Sequence, residues 1–383
     1  MYLYYTRVIF GMQVIMGEEM DLLKYKQILK NTIELDCPNY LKQKLVNDIK
    51  VNRIGKYGTK EKDGVVLLTG MSNHTERIST CIDKNNLTIK LFDLLEIKKG
   101  YRYTIIFKHR GIDFKDLRES IANIAIDLNS DYYNEYNGNV DDDEVHYYED
   151  TRNFFIKFHK YIDVIDKKKV QMRYLRYPIV FVFHKDMNLF EVRFDRLAID
   201  NDYRFYHDTM IARVSQLNSI YDKIGYEYLD LESTIREIVN EHKDCVEEVI
   251  WSFETAKSKG LTLRVGEDGV MPFLGDLELL VNELRRKYDE DNNVDECLKE
   301  IENYMNKTKK FANEKFRILS WLKYNENGQN IKLDKSIDIK INFNYNNKKY
   351  ALLNIFDNEI NDMERINHVI RFIGKVAGNI QEL

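Results

Sequence analysis

The stretch from Leu175 to Leu197 most constrains how this chain of 383 residues can fold. Ile179–Phe183 is an unbroken run of β-branched and aromatic residues, which is typical of a strand buried on both faces. After a polar interruption, Leu189–Leu197 alternates between apolar and charged residues, which indicates a second strand. We therefore predict a β-hairpin of two central strands.

The second strand of this hairpin carries a row of three ionisable side chains. Glu191, Arg193 and Asp195 lie two residues apart and so share one face of the strand. Antiparallel sheets often keep one face in contact with water, so we expect a solvent-exposed ladder of alternating charges. The alternative is a polar site covered by the helices that follow.

Periodicity along the rest of the chain predicts an α+β protein. Residues 1–129 mix helical and strand patterns and form a mixed N-terminal α/β domain, and an acidic linker loop follows at 130–150. Residues 151–383 form a second, hairpin-centred α+β domain with a central antiparallel sheet. Its C-terminal half is expected to be largely helical, with one long helix from Leu231 to Lys259, and to end in a β-hairpin and a helix.

The amino-acid composition says more about the cellular location of the protein than about its function. Four scattered cysteines without a CxxC pair indicate free thiols in a reducing environment. No stretch reaches the roughly 18 apolar residues that a membrane span requires. The apolar N-terminus is interrupted by Arg7 and lacks a small-residue cleavage site. We expect a soluble cytoplasmic protein with no membrane partner, and the oligomeric state stays open.

The sign of the charge changes abruptly in the middle of the chain. Residues 127–150 hold nine acidic residues and no Lys or Arg, whereas residues 152–176 hold eight basic and two acidic residues. Because Lys and Arg neutralise phosphates and the interleaved aromatic rings can stack on bases, this composition suits nucleic acid or an acidic protein partner. The alternative is that the acidic loop folds back and neutralises the basic residues.

Our leading hypothesis is therefore an intracellular binding or assembly protein that engages a polyanion, above all nucleic acid, through residues 152–177. The net charge of −5 leaves room only for a local basic surface. The residues expected to bind, which we call the basic block, are Lys157, Lys160, Lys167, Lys168, Lys169, Arg173 and Arg176.

A first alternative is a metal-dependent nuclease. Asp83, Glu96 and Lys98 have the spacing Asp-x12-Glu-x-Lys, with an apolar segment from Leu87 that predicts a strand ending at Glu96. Over about 16 residues this pattern resembles the PD-(D/E)xK nuclease motif. The resemblance implies that Asp83 and Glu96 hold Mg²⁺ while Lys98 positions water. Without that activity, the segment is an ordinary edge strand.

A second alternative is a metal-independent ribonuclease. Arg152, Asn153 and His159 resemble the Arg-polar-His signature of HEPN-type ribonucleases, which implies that Arg152 and His159 act on the 2′-hydroxyl and the phosphate of RNA. Two other Arg and His pairs in the chain have similar spacing, so chance alone produces such matches. Otherwise, we expect these residues to form a helix with one packed aromatic side. A scaffold subunit of a multi-protein complex, with neither activity, is the third hypothesis.

Two loops complete the candidate sites. Residues 133–144 partly match a calcium-binding EF-hand loop, but Tyr133 stands where the first carboxylate ligand is required, so we expect a solvated linker. Residues 53–60 hold two glycines and three basic residues. They lack the phosphate-binding GxxxxGK[ST] pattern and a following helix, so a basic surface turn is expected there.

Overall fold

The computed structural model describes residues 22–60, 63–130, 145–166, 169–197, 203–254, 261–264, 274–288, 292–310, 313–326, 329–343, 345, 350–356 and 363–381. It combines helices with extensive antiparallel sheet, so the predicted α+β class is confirmed. Residues 133–144, which partly match an EF-hand loop, lie outside the described residues, as do Lys167 and Lys168. In the part of the chain that is described, no helix combines the length and apolarity needed to span a bilayer.

The helices are distributed along the whole described chain. They are α1 (Leu22–Leu35), α2 (Asn39–Val51), α3 (His74–Lys84), α4 (Leu87–Lys98), α5 (Phe114–Ile121), α6 (Tyr203–Ile220), α7 (Leu231–Glu241), α8 (Leu274–Lys287), α9 (Asn292–Lys310) and α10 (Met363–Gln381).

The strands are interspersed among these helices, partly in consecutive runs. They are β1 (Gly55–Lys56), β2 (Val66–Leu67), β3 (Tyr103–Lys108), β4 (Ala125–Asp127), β5 (Val145–Glu149), β6 (Asn153–Asp166), β7 (Gln171–His184), β8 (Leu189–Phe194), β9 (Glu227–Tyr228), β10 (Val246–Glu254), β11 (Leu261–Arg264), β12 (Asn313–Glu326), β13 (Gln329–Asn342) and β14 (Leu352–Ile355).

Contacts divide the chain into two compact units. Unit 1 comprises residues 1–99 and 108–226, and unit 2 comprises residues 100–107 and 227–383. The linker that the sequence suggested at residues 130–150 falls inside unit 1, where β4 pairs in parallel with β5.

The sheet of unit 1 has the strand order β8-β7-β6-β5-β4, and the predicted hairpin supplies the first two strands of that order. Val180 pairs with Arg193 and Phe183 with Phe190, which confirms both strands of the hairpin. β6 pairs with β7 over its full length of 14 residues. The helix expected from Arg152 to His159 is therefore wrong, because alternating aromatic and polar residues in this segment match the period of a strand.

This sheet has two different faces, and both are covered. Register places Lys157 opposite His146, and Glu191 opposite Val182, on the same face as Arg176. We call this the polar face. The other face carries aromatic side chains, and the Tyr177 ring there packs against the Phe205 ring of α6 with centroids 5.6 Å apart. The polar face is covered by α1 and α4, whose side chains are described below.

A segment that we expected to be an edge strand forms α4 instead. Leu87–Glu96 is apolar through much of its length, and such a run does not distinguish a strand from a buried helix. The helix buries Phe92, Asp93 and Glu96 together on one side. Spacing of three and four residues produces that common face, which a strand would have split between its two sides.

Unit 2 contains the strand order β11-β10-β12-β13-β14-β3, with β9 paired to β3. The long helix expected from Leu231 to Lys259 is wrong: α7 ends at Glu241, and β10 begins at Val246 and pairs with β12. Val246, Ile250 and Trp251 favour a strand, and pairing with β12 overrides the helical spacing. The predicted C-terminal strand pair and closing helix are confirmed as β13, β14 and α10.

His109 is buried in unit 1 and gives the fold a dependence on pH. Its ring contacts Phe183 and Phe190, and its Nδ1 accepts a hydrogen bond of 3.1 Å from the Gly111 amide. Burial lowers the pKa of His109 to about 4 from its usual 6.5. The folded protein therefore binds fewer protons at this ring than the unfolded chain does, and its stability falls as the pH drops from 6.5 towards 4.

We expect the free energy of unfolding to decrease between pH 7 and pH 5 by about 2 kcal/mol more in the wild type than in His109→Leu. Urea unfolding of both proteins at the two pH values measures this difference. For each protein, the free energy of unfolding at pH 5 is compared with its own value at pH 7. A change in the absolute stability of the leucine variant therefore does not affect the comparison. Equal pH dependence of the two proteins would show that His109 does not stay neutral when folded.

Candidate functional site

The structure turns the centre of the basic block towards the protein interior. Lys157 and Arg176 are fully buried on the polar face of the sheet in unit 1. Lys157 Nζ donates hydrogen bonds to Asp93 Oδ1 at 2.6 Å and to Glu96 Oε2 at 2.9 Å. Neither cation is accessible to a polyanion, which corrects the expectation that these residues line an exposed basic surface.

Arg176 joins the same network from the neighbouring strand. Its guanidinium donates to Glu96 Oε2 at 2.5 Å and to the Tyr25 hydroxyl at 2.7 Å, and it lies 2.9 Å from Asp93 Oδ1. Burial by itself would raise the pKa of Asp93, but the charges of Lys157 and Arg176 outweigh it and hold that pKa well below its usual value. Two carboxylates from α4 thus balance two cations from the sheet.

Arg173 and Lys169, in the outer part of the basic block, are also neutralised within unit 1. Arg173 donates to Glu34 at 2.6 Å and lies 3.4 Å from Asp166, and Lys169 donates to the same Glu34 carboxylate at 3.0 Å. Lys160 donates to the Thr209 hydroxyl at 3.4 Å. Neutralisation of the basic block was one of our two expectations, with the acidic loop as the source of the carboxylates. The carboxylates that neutralise these cations come instead from α1, α4 and β6.

The charge row of the hairpin is buried rather than exposed. Glu191 and Arg193 are 0% and 1% exposed, so the expected solvent-exposed ladder is wrong and the polar face is covered at this position. Glu191 accepts a hydrogen bond from Arg193 and lies 2.9 Å from His184 Nε2. Burial opposes ionisation of Glu191, but Arg193 and His184 outweigh it and lower its pKa. Asp195, at the edge, accepts a hydrogen bond from Lys99 at 2.6 Å.

The residues of the predicted metal-dependent nuclease do not form one site. Asp83 lies near the exposed end of α3 and pairs with Lys30 at 2.9 Å, whereas Glu96 is buried beside Lys157 and Arg176. Lys98 is exposed, with its Nζ 4.4 Å from the centroid of the Tyr148 ring. Because Asp83 and Glu96 lie in separate environments on two helices, the two-carboxylate Mg²⁺ site expected from their spacing is not assembled.

The Arg152 and His159 pair of the predicted ribonuclease is also separated. Arg152 is exposed immediately before β6, and His159 is buried within that strand. Seven strand residues span roughly 23 Å, and an odd separation places two side chains on opposite faces. These two residues therefore cannot act on the same phosphate in this structure.

His159 instead lies beside another histidine and a carboxylate. The His146 and His159 rings are nearly perpendicular, with centroids 4.8 Å apart. One potential ligand atom from each of Asp93, His146 and His159 lies within 4.8 Å of the other two. No local motif identifies this set, because its members come from α4, β5 and β6. The sequence feature that could have indicated this set is the alternation of side chains along a strand. Once β5 and β6 are paired, it places His146, Lys157 and His159 on one face of the sheet.

An exposed combination of cations and an aromatic ring lies elsewhere in unit 1. We call it the basic turn and define it as Lys50, Arg53, Lys56, Tyr57, Lys60 and Arg77. Tyr57 is 47% exposed, and its ring centroid lies 5.5 Å from Lys50 Nζ and 5.4 Å from Arg77 Cζ. Lys50, Arg53 and Lys60 are exposed, and Lys56 is half-buried.

The basic turn is held in place by contacts on both sides. Gly55 and Ile54 are buried, and a Cβ atom at Gly55 would lie 3.0 Å from the Ile49 and Leu68 side chains. The Gly58 amide donates to the Thr69 hydroxyl at 2.9 Å. Arg53 adopts a φ of 58°, a left-handed conformation that is uncommon without glycine and sharpens the turn after α2. The expected basic surface turn is therefore present.

Comparison with known proteins gives no match to a protein-family model or to a curated protein sequence. Any functional assignment therefore depends on the geometry of these sites.

Proposed function

We propose that the protein binds single-stranded nucleic acid through the basic turn. The observation that carries this proposal is the exposed Tyr57 ring, whose centroid lies within 5.5 Å of the cationic groups of Lys50 and Arg77. Exposed aromatic rings stack on unpaired bases, and adjacent cations contact the phosphates that connect those bases. Cations next to aromatic rings were the reason for expecting nucleic-acid binding by the basic block. The basic turn has the same residue types, and there they are exposed to a ligand.

The local excess of positive charge supports the proposal, because the chain as a whole is acidic. Residues 39–60 contain six Lys or Arg residues and one acidic residue, Asp48, whereas the whole chain has a net charge of −5. Asp48 is half-buried, and burial raises its pKa, which weakens its negative charge towards acidic pH. A strand of nucleic acid would approach a positive region rather than an evenly charged surface.

The exposed ring favours an unpaired strand over a duplex as ligand. A paired base offers its flat face only to its stacked neighbours, whereas an unpaired base can place that face on an aromatic side chain. Stacking depends little on base identity, so the proposal predicts weak sequence preference. Phosphate contacts from several cations predict a strong dependence on salt.

Reversing the charge of Lys50, Arg53 and Lys60 together is expected to weaken binding of a fluorescently labelled poly(U) oligonucleotide. Loss of three phosphate contacts should make the slope of log affinity against log salt shallower by about 2. Fluorescence anisotropy of the full chain between low and physiological salt measures both quantities.

The matched control reverses Arg110, Lys115 and Lys243, which are also exposed and give the same net charge. We expect this control to retain nearly all of the wild-type salt slope. An equal loss in both triple variants would attribute binding to overall charge and contradict a localised site. A wild-type protein that binds neither RNA nor DNA would favour the scaffold hypothesis.

A further inference from the structure

Three side chains from three elements of unit 1 converge on one buried location. Asp93 comes from α4, His146 from β5 and His159 from β6, and their potential ligand atoms all lie within 4.8 Å of one another. Each of the three side chains is at most 2% exposed. Pairing of His146 with Lys157, two residues before His159, fixes the two imidazoles on the same face of the sheet. The arrangement is therefore set by strand register.

His159 has a hydrogen-bonding deficit that an ion would remove. Neither of its ring nitrogens has a hydrogen-bond partner among the described residues. Buried polar groups are nearly always paired, and an exception calls for a water molecule or an ion. Burial and the nearby Arg176 and Lys157 lower the pKa of His159 well below its usual value, so the ring is neutral near pH 7. A neutral imidazole is the form that binds metals.

We infer that Asp93, His146 and His159 bind one divalent transition-metal ion of the zinc class. Two imidazole nitrogens and one carboxylate oxygen are a common ligand set for such ions. Mg²⁺ and Ca²⁺ prefer oxygen ligands throughout, so neither fits this set. The inference concerns residues remote in sequence from the basic turn and does not depend on the proposed function.

The distances require only a small contraction on binding. Zinc forms bonds of about 2.0–2.2 Å to nitrogen and oxygen, which puts two ligand atoms of a tetrahedral ion roughly 3.4 Å apart. Starting from separations of at most 4.8 Å, movements of about 1 Å by the rings and the carboxylate would complete the site. Side-chain rotations of that size leave the paired backbones of β5 and β6 in place.

The neighbouring cations keep a partner when the ion is bound. Lys157 and Arg176 both contact Asp93, but both also contact Glu96 Oε2, at 2.9 Å and 2.5 Å respectively. Glu96 can therefore hold the two cations while Asp93 turns to the ion. Since the two carboxylates already balance the two cations, the charge of the ion favours an anionic fourth ligand such as hydroxide, formed when bound water loses a proton.

Zinc titration of the full chain, after removal of metals with EDTA, tests the inference. We expect one Zn²⁺ per chain in competition with a chromophoric chelator. We expect affinity to fall in His159→Gln and His146→Gln by more than the roughly 10–100-fold that loss of a group supporting a ligand causes. His184→Gln is the matched control, because His184 is buried on the same face but lies beside Glu191, and it should retain wild-type affinity.

X-ray absorption of the zinc-loaded wild type keeps the inference testable if a histidine variant fails to fold. The spectrum is expected to show two imidazole ligands per zinc ion. A zinc shell with no imidazole ligand would overturn the inference. So would a folded wild-type protein that binds no zinc, or unchanged affinity in His159→Gln.

Discussion

Replacement of Arg176 by methionine is expected to lower the free energy of unfolding by about 3–5 kcal/mol. The side chain is fully buried and contacts Asp93, Glu96 and Tyr25, so methionine fills much of the volume but removes the charge. Asp93 and Glu96 would then share Lys157 alone, leaving one excess negative charge in the interior. Breaking one side of a buried ion network costs far more than the net contribution of the intact network.

Urea unfolding at pH 7 measures the loss, and Arg152→Met provides the matched control. Arg152 is exposed immediately before β6, the strand that pairs with the strand of Arg176, so its replacement should change stability by no more than about 0.5 kcal/mol. A loss below about 1 kcal/mol for Arg176→Met would mean that water or a rearranged side chain compensates the carboxylates. The buried network would then not exist as described.

Glu191→Leu is expected to cost a similar amount, about 3–5 kcal/mol, because it leaves the Arg193 charge buried without its carboxylate. The double variant Glu191→Leu with Arg193→Met should recover most of that loss. Replacing both members of a buried ion pair with apolar residues of similar size removes the desolvation cost along with the attraction.

A double-mutant cycle in urea separates these contributions. The single variant Arg193→Met leaves Glu191 beside His184, so it should be destabilised less than Glu191→Leu. Stability losses that simply add in the double variant would contradict coupling between the two side chains. Arg236→Met is an exposed reference for arginine replacement in unit 2.

The local sequence pattern was sufficient to predict those elements whose structure depends on residues close to one another in the chain. The run from Ile179 to Phe183 and the alternation after Leu189 predicted β7 and β8, and their pairing follows from the short turn between them. The same alternation placed Glu191 and Arg193 on one face. It could not show whether that face met water, because α1 and α4, which cover the polar face, precede the hairpin by more than 70 residues.

Charge reversal in the sequence was misleading for a related reason. Lys157 lies 64 residues from Asp93, and Arg176 lies 80 residues from Glu96, so no window around residues 152–177 contains the carboxylates that neutralise these two cations. The acids of the adjacent loop were the visible candidates. Only the folding of α4 onto the sheet brings Asp93 and Glu96 to these cations, and the sequence pattern predicts a strand where α4 forms.

The basic turn was easier to predict as a surface than as a binding site. The two glycines and three basic residues of residues 53–60 indicated exposure, but the contacts of Tyr57 depend on Arg77, which lies on a different helix. Likewise, the convergence of His146 and His159 depends on the register between β5 and β6. Sites built from separate elements leave no fixed spacing for a motif to capture.

The most direct test of the proposed function is photocrosslinking of a 4-thiouridine oligonucleotide to the full chain, followed by peptide mapping. We expect crosslinks within residues 50–77, centred on Tyr57, and we expect them to persist in Tyr57→Phe but to weaken strongly in Tyr57→Ala. Specific crosslinks confined to residues 152–177, or none in either region, would contradict the assignment of nucleic-acid binding to the basic turn.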